Sequence, residues 1–262
     1  MRYRWLALFP LLYAAAFALL VLWLMDGAAL LPFVRWQILL VRLLGLVGCF
    51  AAVSAFEPGD HLRRAWLLLG IATFALLLRD LSRFAEELTP AAEWAVAVLG
   101  VGGNLLFLAG IWMLASAWRK AVSSLSDRRG VVVAVLLVTA GLALAVAGPF
   151  AVEHFHTVAA GEWDALILLV SAIVDILALC MLGPLVLTTI SLRGGLFAWP
   201  WGLVTASMFC WLLFDAAAGL GWLLGSGNFP ATELFRGMAE NYLLGAGLAQ
   251  RFAVQHVRRA AG

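Results

Sequence analysis

The sequence contains little charge: Asp, Glu, Lys and Arg make up 12% of its 262 residues, about half their share in a typical soluble domain. The single lysine, Lys120, falls in a predicted loop, which excludes a retinal pigment because retinal is bound by a lysine inside the helix bundle. Haem bound within a bundle needs histidines in the spans. The four histidines instead lie near predicted span ends or outside the spans: His61, His154, His156 and His256.

Signatures of enzyme chemistry are also absent. No serine stands beside a histidine and an acid as an activated nucleophile would, and no strand precedes a glycine-rich phosphate loop. The cysteines, Cys49, Cys180 and Cys210, lie in predicted spans without CxxC spacing, and we interpret them as small core residues. We predict that the protein is not an enzyme and has no cofactor. Its net charge of +2 carries no nucleic-acid signal.

Long apolar runs dominate the chain, which is 65% hydrophobic with a mean hydropathy of +1.01. The runs suit helices that cross a hydrocarbon core, which takes about 20 residues, and they lack the alternation of barrel strands. The first run is followed by acidic Asp26 and no small-residue cleavage site, so we interpret it as a membrane helix and not a signal peptide. The predicted fold is an all-α membrane helix bundle, one transmembrane domain over residues 1–262. Its eight predicted spans lie near 5–25, 32–56, 64–82, 92–117, 130–150, 164–190, 197–224 and 232–254.

The loop charges predict that both termini lie inside the cell, because basic residues favour cytoplasmic loops. The segments that are then cytoplasmic carry twelve of the seventeen basic residues: Arg2, Arg4, Arg63, Arg64, Arg119, Lys120, Arg128, Arg129, Arg193, Arg251, Arg258 and Arg259. The segments that are then external carry acids: Asp26, Glu86, Glu87, Glu93, Glu153, Glu162, Asp164 and Glu233. We expect a multi-pass protein of the bacterial inner membrane.

A repeated spacing indicates that the two halves of the chain are related. Trp66 precedes Asp80 by fourteen positions, and Trp201 precedes Asp215 by the same distance. Four spans per half would give both halves the same orientation, related by an axis along the membrane normal. The predicted halves are residues 1–127 and 128–262.

The neighbouring spans extend this alignment. Asn104 lies 24 residues after the first aspartate and Asn241 lies 26 residues after the second, and each is followed five residues later by an Ala-Gly pair. In the other direction, Arg42 lies 24 residues before the first tryptophan and Asp175 lies 26 before the second. The alternative is chance similarity between helices of biased composition.

Polar side chains inside the spans are the candidate functional residues, because each ionisable group costs about 2.5–3.5 kcal/mol on insertion scales and normally faces a partner in the bundle. We expect spans 2, 3, 4, 6, 7 and 8 to line the interior, with the two aspartates of the repeat in the outer third, near Arg79 and Arg83, and the other polar residues at mid-depth. We also expect Asp175 or Glu240 to pair with Arg42. The group could hold the helices together by interhelical hydrogen bonds, or it could line a polar cavity between the halves. Its members are Arg42, Asp80, Asn104, Asp175, Asp215, Glu240 and Asn241.

The motif EHFH, from Glu153 to His156, offers a weaker metal hypothesis. Imidazole and carboxylate are common ligands, but His154 and His156 would share a face only in an extended segment. We therefore favour a solvated loop over a metal site.

Spans 6 to 8 resemble the multi-span sensor regions that precede histidine-kinase or diguanylate-cyclase modules in bacteria. The resemblance is carried by Asp175, then LRGG (192–195), the entry WPW (199–201) and a span ending in LLFD (212–215). It implies perception of a signal in the bilayer and its transmission inward through the last helix. The sequence printed here ends with RRAAG at Gly262, so we expect the output module to be a separate partner.

Two functions follow from the sequence. The first is a sensor, ligand-binding or interaction subunit with a polar cleft between two four-helix halves. It has the lipid bilayer and a separate cytoplasmic or membrane protein as partners. The second is a small-solute or ion transporter that uses the intramembrane Asp and Arg residues.

Overall fold

The computed structural model describes residues 4–24, 29–84, 89–116, 129–162, 165–224 and 229–261, and every regular element in these ranges is helical. A short 3-10 turn, Ser82–Phe84, follows the third helix. The α-helices are α1 (Arg4–Leu24), α2 (Leu30–Val53), α3 (His61–Leu81), α4 (Pro90–Ala115), α5 (Arg129–Ala159), α6 (Ala165–Cys180), α7 (Leu182–Ser191), α8 (Ala198–Leu224) and α9 (Phe229–Ala261).

The described helices make this a multi-pass membrane protein. Seven helical stretches are long and apolar enough to cross a membrane: α1, α2, α3, α4, α5, α6 with α7, and α8. They confirm the first seven predicted spans. The eighth, predicted over 232–254, falls in the 33-residue helix α9, which is too polar to meet the same criterion.

Helix α9 is polar because other helices shield it from the surroundings. It packs against α1, α2 and α8, so its polar face meets protein and not lipid. A charged side chain that faced lipid without a partner would cost several kcal/mol. Its buried polar residues are Glu233, Arg236, Glu240, Asn241 and Gln250. Glu233, predicted to lie in an external segment, is therefore a buried residue of a helix.

The outer helices α1 and α5 show the opposite pattern. Together they are the least buried of the candidate spans, and large apolar side chains such as Leu19, Trp23 and Leu137 are mostly exposed. An exposed apolar surface of this kind suits contact with acyl chains. The expectation that the other six spans line the interior leaves these two spans at the periphery.

Two further boundaries differ from the sequence predictions. Helix α5 continues to Ala159, nine residues beyond its predicted end, and includes the EHFH motif. The sixth span is broken at Met181, because the ring of Pro184 provides no N–H for the carbonyl of Cys180 one turn earlier. Eight of the loop charges used for orientation lie outside the described residues: Arg2, Asp26, Glu86, Glu87, Arg119, Lys120, Arg128 and Asp164.

A close helix crossing joins the halves of the chain. At the contact of α2 and α9, a Cβ atom on Gly247 would collide with the backbone carbonyl of Gly48, and one on Gly48 would collide with the backbone of Leu244. Small residues at such crossings let two backbones approach closely. This crossing holds α9 against the helix that carries Arg42.

Candidate functional site

The centre of the candidate site is Arg42, whose side chain is almost completely buried on α2. Its Nε donates a hydrogen bond to Asp80 Oδ2 at 3.2 Å, and its Nη1 donates to Glu240 Oε1. Three helices, α2, α3 and α9, thus meet at one guanidinium. Glu240 was predicted as a partner, whereas Asp175, the other predicted partner, forms no salt bridge with Arg42 among the described residues.

The contact between Arg42 and Asp80 joins the two predicted polar levels. Asp80 was expected in the outer third, above the level of Arg42, and it is the penultimate residue of α3, whereas Arg42 lies in the middle of α2. The long side chain of Arg42 reaches the carboxylate of Asp80 at 3.2 Å. The two groups therefore form one cluster in this half.

Gly45 makes space for the Glu240 carboxylate. A Cβ atom at this position would collide with Glu240 Oε2. Because Gly45 follows Arg42 by three residues, about one helical turn, the side chain that binds Glu240 and the notch that receives it lie on the same face of α2. This local arrangement was not foreseen from the sequence.

Two further groups fix the orientation of the buried pair. Arg79 donates from Nη2 to Asp80 Oδ1 at 3.0 Å, so Asp80 accepts hydrogen bonds from two arginines. The guanidinium of Arg42 lies over the ring of Trp211 on α8, 5.3 Å from its centroid. A desolvated cation–π contact of this type contributes about 2 kcal/mol.

A cavity of about 190 Å³ opens beside this cluster. Its wall combines helices of both halves of the chain, and its charged groups include arginines and aspartates. The cavity is lined by Arg42, Leu76, Arg79, Asn104, Phe107, Ser171, Asp175, Ala178, Leu179, Met208, Trp211, Phe214, Asp215 and Arg236.

Asp175 on α6 and Asp215 on α8 face this cavity together, close enough to interact electrostatically. Unlike Asp80, neither takes part in a salt bridge or a hydrogen bond with any described residue. Both also line a second cavity of about 220 Å³, on the side of α5, together with Ser171 and His154. The two aspartates and Ser171 therefore stand at the junction of two cavities.

The two asparagines of the predicted repeat have different neighbours. Asn104 on α4 donates from Nδ2 to Ser171 Oγ on α6 at 2.8 Å, which links the halves beside the cavity. Asn241 donates to the carbonyl of Gly237 in its own helix, and its Oδ1 is buried without a hydrogen-bond partner in the described structure. Asn241 instead lines a small cavity near Trp5 on α1, so it does not belong to the central cluster.

Sequence reasoning missed Arg236, which faces the cavity from α9. Its Nε lies 3.3 Å from Glu233 Oε2, and its guanidinium lies over the ring of Phe214 at 4.9 Å. The signal that could have found Arg236 is the spacing of Glu233, Arg236 and Glu240, which at i, i+3 and i+7 form one stripe of a helix.

The geometry of α5 argues against the metal hypothesis for His154 and His156. Both residues are helical, and two positions along an α-helix are separated by about 200° around its axis, so their rings point in different directions. The segment is also not the solvated loop that was expected. Within the described part of the chain, no three His, Cys, Asp or Glu side chains are grouped so that they could hold a metal ion.

The arrangement as a whole can bind a charged solute. The cavity wall has three arginines that form salt bridges with carboxylates. It also has two further carboxylates, Asp175 and Asp215, which lie within electrostatic range of Arg79 and Arg236. Ser171 and Asn104 add polar groups to the wall. Comparisons of the chain with protein-family models, with curated proteins and with solved structures find no match.

Proposed function

We propose that this multi-pass membrane protein binds a small charged solute in the cavity between two four-span halves and acts as a sensor or ligand-binding subunit. The observation that carries the proposal is the cavity of about 190 Å³ with Arg42, Asp175 and Asp215 in its wall. Charged side chains at membrane depth are costly, and they commonly mark the path or binding place of a polar substrate. A cavity near 150 Å³ holds a molecule the size of benzene, so this one suits a small solute.

The proposed halves are residues 1–127 and 128–262, with both termini inside the cell and the protein in a bacterial inner membrane. The pattern of helix contacts supports the repeat. In the first half α2 packs on α3 and α3 on α4; in the second half α7 packs on α8 and α8 on α9. Between the halves, α2 packs on α9, and the corresponding pair α6 and α4 is also in contact. A rotation that exchanges the halves would exchange these contacts. Helices α1 and α5 do not follow this pattern, because α1 packs on α9 whereas α5 packs on α6, α7 and α8.

The resemblance to sensor regions fits this arrangement. Helix α9 carries Glu240 and Arg236 at the cavity and continues to Ala261, with Arg258 and Arg259 exposed at its far end. A change in the cavity can therefore reach the end of a single continuous helix. A partner protein that contacts this end would receive the signal.

Cysteine labelling tests whether the cavity is accessible to water. In a background where Cys49, Cys180 and Cys210 are alanine, we expect Ser171→Cys to react readily with hydroxyethyl methanethiosulfonate, a small neutral reagent, because the thiolate that reacts forms only in contact with water. Leu137→Cys, on the lipid-facing side of α5, is the control and should react slowly. Equal, slow labelling of both variants would refute a solute-binding cavity.

Transport is the second candidate, and the second cavity favours it. A solute held between Asp175 and Asp215 has an adjoining space of about 220 Å³ toward His154 on α5. Flux into proteoliposomes that is lost in Asp175→Asn, and retained in the exposed control Glu153→Gln, would establish transport. Solute binding without flux would favour the sensor.

A further inference from the structure

The charges around the cavity do not balance. Among the described side chains, three arginines (Arg42, Arg79 and Arg236) face it, and three carboxylates (Asp80, Glu240 and Glu233) form salt bridges with them. The two remaining carboxylates, Asp175 and Asp215, have no salt-bridge partner within 4 Å in the described structure.

The depth of these two carboxylates makes their excess charge costly. Asp175 lies ten residues after the start of the span formed by α6 and α7 (Ala165–Ser191), about 15 Å along the helix axis, and Asp215 lies nine residues before the end of α8, about 14 Å. Ionised carboxylates at such depth are tolerated when a positive charge neutralises them. Arg79 and Arg236 lie close enough to interact electrostatically with Asp175 and Asp215 respectively, but each of these arginines also forms a salt bridge with another carboxylate. Full neutralisation of the two aspartates therefore requires a bound cation or protonation.

In the first half of the chain, the positions that correspond to these two aspartates carry opposite charges that neutralise each other. In the proposed repeat, Arg42 corresponds to Asp175 and Asp80 corresponds to Asp215. In the first half these positions form a buried salt bridge of 3.2 Å. In the second half the corresponding pair consists of two acids that face a cavity.

We infer that the solute is a small organic cation, of the guanidinium or ammonium class, whose charged group lies between Asp175 and Asp215 as the guanidinium of Arg42 lies beside Asp80. This inference rests on the proposed function and specifies its ligand. A cavity of about 190 Å³ has space for about seven or eight non-hydrogen atoms, judged from the 150 Å³ cavity that holds benzene. The size therefore favours an organic cation over a bare metal ion.

Ligand pairs that differ only in charge give a direct test. Binding to the purified protein in detergent is measured by calorimetry for ethylguanidinium and for choline, each compared with a neutral molecule of matching shape, ethylurea or 3,3-dimethylbutan-1-ol. Sodium chloride, glycine betaine and 3,3-dimethylbutanoate complete the series as an inorganic cation, a zwitterion and an anion. We expect at least one organic cation to bind, and its neutral counterpart to bind much more weakly.

Variants then place the bound cation. Asp175→Asn and Asp215→Asn should each raise the Kd of that cation about tenfold or more, because each removes one partner of a desolvated charge. Asp175→Glu and Asp215→Glu retain the charge and should restore most of the binding, which separates loss of charge from loss of fold. Glu153→Gln likewise replaces a carboxylate by an amide, but at an exposed position, and should leave the Kd unchanged.

Several outcomes would overturn the inference. They are a lack of binding by both organic cations, equal binding of a cation and its neutral counterpart, and a Kd that is unchanged in both Asn variants. Preferential binding of sodium, the zwitterion or the anion would also refute it, while the proposed solute cavity would stand. If Ser171→Cys is no more reactive than Leu137→Cys, the cavity itself is refuted, so the two failures can be told apart.

Discussion

Asp80 and Asp215 occupy corresponding places in two similar segments, yet they have different surroundings. Each follows a buried tryptophan by fourteen residues, Trp66 in α3 and Trp201 in α8. The carboxylate of Asp80 is fully buried and accepts hydrogen bonds from two arginines. The carboxylate of Asp215 faces two cavities and has no salt bridge among the described residues.

The difference comes from the residue opposite each aspartate. In α2 the aligned position is Arg42, which forms a salt bridge with Asp80, whereas in α6 it is Asp175, which has the same charge as Asp215. An acid repeated in sequence therefore need not have a repeated role. In the first half it connects helices, and in the second half it lines two cavities.

The largest expected effect separates the two aspartates by stability. Asp80→Asn leaves Arg42 and Arg79 without the charge that both contact, and breaking a buried ion pair from one side costs about 3–5 kcal/mol. Asp215→Asn removes repulsion between two acids, so we expect its free energy of unfolding to change by less than about 1 kcal/mol. Urea or SDS unfolding in detergent, followed by tryptophan fluorescence, measures both.

The comparison would fail if the two variants lost similar stability. A large loss in Asp215→Asn would mean that this aspartate also holds helices together. Glu240→Gln serves as a further reference, because it leaves Asp80 unchanged and weakens the second contact of Arg42. Its loss of unfolding free energy should fall between those of the two aspartate variants.

The sequence was sufficient for the parts of the fold that depend on composition. Seven spans follow from apolar length alone, and the peripheral positions of α1 and α5 follow from the lack of charge in their central apolar stretches. Helix α9 differs because its apolar surface is replaced by polar groups that other helices cover. A hydropathy pattern describes the lipid contact of a helix and carries little information on a helix enclosed by protein.

The candidate site was predictable as a set of residues but not as a set of contacts. The rule that buried charges meet partners selected Arg42, Glu240 and Asp175, and the structure places Arg42 and Glu240 in contact and Asp175 in the cavity wall beside them. It could not decide between Asp175 and Glu240 as the partner of Arg42, since that choice depends on which of their helices packs against α2, and in the structure this is α9. The notch at Gly45 depends on the same geometry.

The aligned glycines provide the second test of the comparison. A Cβ atom on Gly247 would collide with the backbone of Gly48, whereas one on Gly110 would meet Cγ and Cδ2 of the Leu69 side chain at 2.8 Å and a backbone oxygen, that of Ala65, only at 3.1 Å. A side chain can shift more readily than a backbone, so Gly247→Ala should lower the free energy of unfolding by about 1–3 kcal/mol, and Gly110→Ala by less. Gly102, with no atom within 4 Å of a built Cβ, is the control.

Unfolding of the three alanine variants under the same conditions gives the order of their effects. A loss in Gly102→Ala as large as that in Gly247→Ala would show that helix propensity, and not close packing, sets the cost. A larger loss for Gly110 than for Gly247 would place the tighter crossing within the first half.

The smallest effect concerns the aligned asparagines. Asn104 donates a hydrogen bond to Ser171 across the two halves. Hydrogen bonds between membrane helices contribute about 0.6 kcal/mol on average. A double-mutant cycle of Asn104→Ala and Ser171→Ala should therefore give a coupling free energy near that value. Asn241→Leu removes a buried carbonyl that has no partner in the described structure, and the change should be neutral or stabilising because no desolvation penalty remains. Zero coupling in the cycle, or a clear loss of stability in Asn241→Leu, would reverse this assignment and make Asn241 the asparagine that joins helices.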